Sequence, residues 1–476
     1  MRIAVFLALL CVLPAWAYGQ GAATPARPNV IVILTDDHAS HAISAYGSRL
    51  MPTPNIDRIA REGVRFENSF VTNSLCGPSR ATLLTGKYAH KHGYRDQRPG
   101  RSFDPSQLTF PILLQRAGYE TAVFGKWHLR SEPRGFDKWL IIEGVARYFS
   151  PRFRDSAGVR VIEGYATDTI FEKAIEFIRN RNQSRPFFLL ITPNAPHRNW
   201  TVDAAHQSLL EGVEIPEPPT FLDDLSTRTT AARQCRMSIE HDLTKNDLKG
   251  DPPPGLSGAA LKKWKYQRFI KDYLRCVAAV DVQVGRLLEQ LRTSGLEHNT
   301  LLIYSSDNGF FLGDHGWFDK RFMYEQSLRV PLLARLPGVI PAGLVCQAMV
   351  LNIDTAPTIL SFCGIPVPAE MQGQSWKPLV EKAGGTDILP SVRGSIYYHY
   401  YEQEPEHNVA PHRGVRTETH KLIHFYTHDE WELYDLTKDP DELRNVYDHP
   451  AYAVTRNRLK AELQRLRKHY GDDRED

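Results

Sequence analysis

Four short apolar runs, at residues 30–34, 121–124, 187–191 and 301–304, each lead straight into polar residues able to carry chemistry. The runs are rich in β-branched and aromatic residues and lack clean polar/apolar alternation, so they read as strands covered on both faces. Helical patterns at 55–62, 167–180 and 266–293 supply the covering layers, the last with Ile270, Leu274, Val277 and Val284 on one face. This alternation predicts an α/β fold built on a parallel sheet. Past the four runs stand Asp36-Asp37-His38, Lys126-Trp127-His128, Pro196-His197-Arg198 and Asp307-Asn308-Gly309. Ligands of open α/β sheets bind at the carboxyl ends of the strands, so these sets are expected to converge on one crevice.

At 476 residues and 42% hydrophobic, the chain exceeds the roughly 250–300 residues that one core organises, which predicts a large domain and a smaller one. The division falls near residue 378. Beyond it, 395–401, 414–416, 421–426 and 431–435 read as short antiparallel strands, followed by a charged helix at 452–470. The expected units are therefore 28–377 and 378–476. Within the first, 212–256 is rich in proline and charge and reads as a surface insertion rimming the cleft. Met1-Arg2, the apolar run 3–13 and Ala15-Trp16-Ala17 have the three regions of a secretory signal peptide over 1–17. That run is too short to span a bilayer, so a secreted or periplasmic protein without a stable membrane anchor is expected. Export leaves Cys235, Cys276, Cys346 and Cys363 free to form up to two disulfides. The formal net charge of +3 is slight and dispersed, which excludes nucleic acid as the expected partner.

The segment Cys76-Gly77-Pro78-Ser79-Arg80-Ala81-Thr82-Leu83-Leu84-Thr85-Gly86 places a cysteine just ahead of a proline-started helix, with an arginine one turn on. Unsatisfied amides and the positive end of the dipole make such a place suited to an anion. A lone cysteine there is ordinarily structural. This one belongs to a longer pattern: the segment resembles the signature of type I sulfatases, in which Cys-x-Pro-Ser-Arg precedes Leu-Thr-Gly and the cysteine is oxidised to formylglycine. Lys87 stands where that family often has arginine, a change that keeps the charge. The resemblance implies an alkaline-phosphatase-like fold, α/β with a large mixed, mostly parallel sheet between helices and a smaller C-terminal antiparallel sheet plus helix. It also implies a sulfuric ester hydrolase that depends on a formylglycine-generating or other sulfatase-maturing enzyme.

Asp36, Asp37, Asp307 and Asn308 offer hard oxygen ligands from two strand ends, a set that suits calcium or magnesium better than zinc. The resemblance implies that these four bind Ca2+, with an oxygen of the modified Cys76 and of the sulfate completing the shell. A sulfate ester carries negative charge that must be neutralised as the leaving group departs, and Arg80, Lys126 and Lys320 are the cations for that work. Histidine titrates near working pH. By similarity to the family, His197 with Lys320 donates a proton to the departing alcohol, His128 helps expel sulfate from the formylglycine hydrate, and Asp307 accepts the proton of the attacking hydroxyl.

Three further segments, 197–200, 310–321 and 413–416, look most like sulfatases of polysaccharide degradation, near the N-acetylglucosamine-6-sulfatases. The implied substrate is a sulfated carbohydrate such as a glycosaminoglycan fragment, with Arg95, Arg198, Trp200, His315, Arg321, His412 and Arg413 as contacts to it. Two other readings compete. One is a phosphodiesterase or phosphonate monoester hydrolase on the same superfold, because phosphate and sulfate esters share tetrahedral geometry. The other is a glycan-binding protein whose cysteine is never modified.

Overall fold

In a computed structural model, residues 27–144, 147–381 and 392–473 are described. The signal peptide expected at 1–17 lies outside them. Ten strands form the main sheet, and the four apolar runs are its centre, in the spatial order Thr300–Ser306, Asn29–Thr35, Phe187–Thr192, Glu120–Gly125. These four run parallel, in a register that sets Val30 against both Phe188 and Leu301. The sheet is mixed at its flanks: Leu332–Arg335 lies antiparallel to Thr300–Ser306, and Arg152–Asp155 antiparallel to Lys138–Ile142.

Period-2 alternation sends neighbouring residues of each central strand into two different cores. Ile31, Ile33, Leu189 and Tyr304 pack with Ile170, Phe171, Val277 and Leu287 of the helices Ala166–Asn180 and Gly258–Thr293. Val30, Val32, Leu190 and Ile303 pack with Leu83, Leu84, Leu114 and Ile359 of Cys76–Thr85, Phe110–Arg116 and Thr355–Phe362 on the opposite face. The long helix begins at Gly258, eight residues before the start that periodicity marks, because Ala259, Ala260, Leu261, Lys262 and Lys263 are strong helix formers.

The smaller sheet is antiparallel, in the order Ser395–Tyr400, His412–Thr417, His420–Phe425, Glu430–Asp435, and the helix Ala453–Tyr470 packs on it. Its core also takes in Phe70, Leu75, Trp317, Phe322 and Tyr324, so it is continuous with the residues beside Cys76 and Lys320.

Residues 212–256 are exposed or half-buried over most of their length and are anchored by Ile215, Phe221, Ile239, Leu243 and Leu248, which are buried in the main core. One expectation is corrected. Cys235, Cys276, Cys346 and Cys363 are all free thiols, and no pair among them is bonded. They sit within apolar packing, where cysteine behaves as a small hydrophobe. No helix among the described residues is long and apolar enough to cross a membrane.

Candidate active site

Cys76 is the first residue of its helix, not the residue before it, and Pro78 falls within the first turn, where its missing N–H costs nothing. Every residue of this helix is buried. At Gly77 an added Cβ would lie 2.7 Å from the Tyr94 ring, so only glycine lets the helix start seat this deeply. Gly125 serves a similar end: its φ is 118°, and a side chain would collide with the Thr192 carbonyl oxygen. That close approach lets the chain turn Lys126 into the site.

The strand ends converge as expected. Ligand atoms of Asp36, Asp37, Cys76 and Asp307 all lie within 4.8 Å of one another. Cys76 Sγ is 4.0 Å from Asp37 Oδ1. Lys320 Nζ donates to both Asp37 oxygens at 2.6 Å, and Lys126 Nζ pairs with Asp36 Oδ2. Arg80 reaches Asp307 Oδ2 through Nε at 2.8 Å and through Nη2 at 2.7 Å, and donates from Nη1 to the Lys126 carbonyl at 2.6 Å. Asp37 has φ 66° and is held by Tyr273, whose hydroxyl donates to its carbonyl at 2.8 Å.

Electrostatics follow from burial without water. Desolvation alone would raise the Asp36 carboxyl, but Lys126, His197 and Arg80 together hold it well below the usual carboxylate range. Asp307 goes the other way: burial and the neighbouring Asp36 push it up to about 7, despite Arg80. Burial, then Asp307, holds the Cys76 thiol well above its ordinary value, so the unmodified residue is not a thiolate nucleophile. Burial would lower Lys320, but Asp37 overrides it and keeps the ammonium charged.

The fit of a hard cation can be judged from what is left unpaired. Asp36 Oδ1 and Asn308 Oδ1 are buried without hydrogen-bond partners, while Asn308 Nδ2 donates to Asp37 Oδ1 at 2.5 Å. Buried oxygens pointed inward without donors, in an oxygen-only set of three carboxylates and one amide, fit calcium. Three carboxylates face three fixed cations, so the site is close to neutral and can take up a cation and an anion together.

His197 Nε2 is 3.7 Å from Asp37 Oδ2 and its Nδ1 is 2.5 Å from the Arg198 carbonyl, which only accepts, so the proton sits on Nδ1. Burial and Lys126 lower it to about 4. His128 Nδ1 is buried without a partner, and burial plus Lys126 hold the ring well below its ordinary value. Both rings line a cleft of about 650 Å³ that opens from Lys126 past Arg130 and Arg154.

The substrate contacts expected from sequence divide. Arg198 stands on the cleft wall, held by Asp247 through two bonds of 2.7 and 2.8 Å. Arg321 lies next to Lys320, with Nη2 2.8 Å from His407 Nδ1. Arg95 stands over the Tyr401 ring and Arg413 over the Tyr426 ring, both at strand ends of the smaller sheet. Three do not reach a substrate. Trp200 is fully buried against Phe269 and Phe310. His412 is fully buried among Tyr398, Phe322 and Phe425, with Nδ1 on the Ala410 carbonyl. His315 is buried against Asp223 and Arg228. In each case apolar or ionic packing from distant segments closes over the ring.

Sequence reasoning missed Asp247, Asp319, Glu404, His407 and Tyr148. His407 lies between Asp319 and Glu404, at 3.2 and 2.8 Å, and Tyr148 donates to the His197 carbonyl at 2.5 Å. Asp319 had a local signal as the neighbour of Lys320, and Asp247 one as the fourth residue of the capping box Thr244-Lys245-Asn246-Asp247.

The Sulfatase family model matches residues 28–365, and that of the N-sulphoglucosamine sulphohydrolase C-terminal region matches 313–469. An N-acetylglucosamine-6-O-sulfatase of Bacteroides thetaiotaomicron is 44% identical over 94% of this chain and 87% of its own length. A solved structure in complex with its substrate D-glucosamine-2-N,6-O-disulfate superposes with a TM-score of 0.90 at 44% identity, covering 94% of this chain and 99% of that one. The phosphonate monoester hydrolase of Agrobacterium radiobacter shares the fold, with a TM-score of 0.76 at 22% identity over 93% of this chain and 96% of its own. With a family match along most of its length and a sulfatase relative at 44% identity, the chain belongs to the sulfatase family of the alkaline-phosphatase-like superfamily and is a sulfuric ester hydrolase.

Proposed function

We propose that the chain removes the 6-O-sulfate of a glucosamine residue in a glycosaminoglycan fragment, with formylglycine made from Cys76 and calcium at Asp36, Asp37, Asp307 and Asn308. The observation that carries the reading is the convergence of three carboxylates and three cations on a cysteine at a buried helix start. Its substrate follows the 44% identical N-acetylglucosamine-6-O-sulfatase and the solved complex with a 6-O-sulfated glucosamine. Bound calcium would supply Lewis-acid polarisation of a sulfate oxygen, and a hydrated formylglycine a hydroxyl nucleophile.

The chain's own residues do the rest. Arg80, Lys126 and Lys320 neutralise the sulfate oxygens in a site shielded from water, where fixed charges act strongly. Asp307, held by Arg80 beside Cys76, is the carboxylate suited to take the proton of the attacking hydroxyl. His197 has its Nδ1 proton fixed on the Arg198 carbonyl, so it gains and loses its catalytic proton at Nε2, the nitrogen facing Asp37. An arriving sulfate anion favours the imidazolium there, which then protonates the leaving alcohol. His128, which lines the same cleft, takes the proton whose loss ejects the sulfate.

Incubating the purified, cysteine-converted protein with a panel of sulfated mono- and oligosaccharides tests the reading. Sulfate release from glucosamine 6-O-sulfates is expected, together with a tryptic peptide around residue 76 lighter by one sulfur and two hydrogens and heavier by one oxygen. Faster hydrolysis of an aryl phosphodiester than of any sulfate ester would overturn it, as would normal turnover by Cys76→Ser.

A further inference from the structure

The cleft that opens from the catalytic residues is larger than a sulfate requires. Its volume is about 650 Å³, within the range of roughly 300–1,000 Å³ that holds a ligand of several rings. Lys126, His128 and His197 line it together with Arg130, Glu143 and Arg154.

The charges of two lining arginines are only partly answered. Arg154 stands opposite Ile141 in the antiparallel pair, and its Nε is ion-paired with Glu143 Oε2 at 3.2 Å. Both side chains are about a third exposed, so the pair holds the guanidinium in place without enclosing it. Arg130 is exposed and has φ 53°, a backbone conformation that few residues adopt without purpose. Its Nη1 donates to the carbonyls of Arg98 and Arg101 at 2.9 and 3.5 Å, and it has no carboxylate within 4 Å among the described residues. Arg130 and Arg154 thus line the cleft with Glu143 as the single carboxylate among its lining residues. Arg198, which also lines it, differs: Asp247 and Glu406 already saturate it.

Resting on the substrate reading above, we infer that Arg130 and Arg154 form a second anion subsite, which selects glycans carrying another negative group beside the 6-O-sulfate. The shared chemistry is a planar or tetrahedral oxyanion held by a forked guanidinium. It has two possible sources, an N-sulfate on the same sugar or the carboxylate of a neighbouring uronate.

The experiment measures kcat/KM of the converted enzyme and of Arg130→Met and Arg154→Gln on three substrates: glucosamine 6-O-sulfate, glucosamine 2-N,6-O-disulfate, and a 6-O-sulfated glucosamine joined to a uronate. Each variant is expected to lose about tenfold, the size of one charge-assisted contact, on one or both doubly anionic substrates. Turnover of the monosulfate should stay within about twofold of wild type, since neither arginine touches the reacting group. Arg154→Lys, which keeps the charge without the fork, should recover part of the loss. A loss confined to the disulfate identifies the N-sulfate as the occupant, and one confined to the disaccharide identifies the uronate. Equal losses on all three substrates, or none on any, overturn the subsite while leaving the substrate reading intact. Absence of wild-type turnover on the monosulfate and the disulfate alike refutes the substrate reading, and the subsite with it.

Discussion

Arg80 Nε donates to Asp307 Oδ2 at 2.8 Å, tying the helix that begins at Cys76 to the carboxyl end of the strand Thr300–Ser306. Both side chains are at most 3% exposed. Truncating one partner of such a buried pair leaves the other charge without solvent or counter-ion. Arg80→Ala is therefore expected to cost about 3–5 kcal/mol of stability, read as a lower denaturant midpoint, and to abolish sulfate release. Arg80→Lys keeps the charge but not the fork and should fall between. A midpoint unchanged in Arg80→Ala would show that the pair does not hold the helix to the sheet.

Asp36 Oδ1 and Asn308 Oδ1, buried without hydrogen bonds, give calcium a structural role as well as a chemical one. A ligand that binds only the folded state stabilises it by about 2.7 kcal/mol at a hundred times its Kd. Chelation should lower Tm and stop turnover, and added calcium should restore both. Asp36→Asn should blunt the calcium-dependent rise in Tm. Equal Tm with and without calcium would contradict the donor set.

The central strands and the polar residues after them were legible because a fully buried strand leaves a contiguous apolar run, and its carboxyl end is where that run stops. Asp36, Lys126, His197 and Asp307 could be placed on that ground alone. The burial of Trp200 and His412 could not be read from sequence, since it comes from Phe269, Phe310 and Phe322, far along the chain. Asp247 lies in the four-residue helix Lys245–Leu248 and His407 in a connecting segment, both too short for periodicity, and their partners, Arg198 and Arg321, are brought to them only by the tertiary fold. The thiols misled for a related reason: composition permits disulfides, but only the fold decides which sulfurs meet.

Asp247 positions the catalytic wall from behind. It accepts two bonds from Arg198, one from Asn199 at 2.6 Å, and one from the Thr244 hydroxyl at 2.7 Å. Arg198 in turn offers the carbonyl that fixes the tautomer of His197. Asp247→Ala should lower stability by about 3 kcal/mol and reduce kcat by about tenfold through loss of histidine alignment. Asp247→Asn, which keeps the shape, should be milder in both. A loss of stability with kcat unchanged would separate the ion pair from the histidine.

The cluster around Arg321 gives stability a defined pH window. Burial would lower His407, but Asp319 outweighs it and raises the imidazole above its ordinary 6.5. Its contribution is therefore fully present below pH 6.5 and lost as pH rises through the folded value. Burial would raise Glu404, but the hydrogen bond from His407 and the charge of Arg321 bring it down to about 2. That contribution is present above its ordinary 4.5 and lost as pH falls toward about 2. The two overlap between about 4.5 and 6.5. The Tm difference between wild type and His407→Gln should be greatest in that interval and shrink on both sides. A difference that is flat from pH 4 to pH 9 would mean that His407 packs against Arg321 without carrying charge.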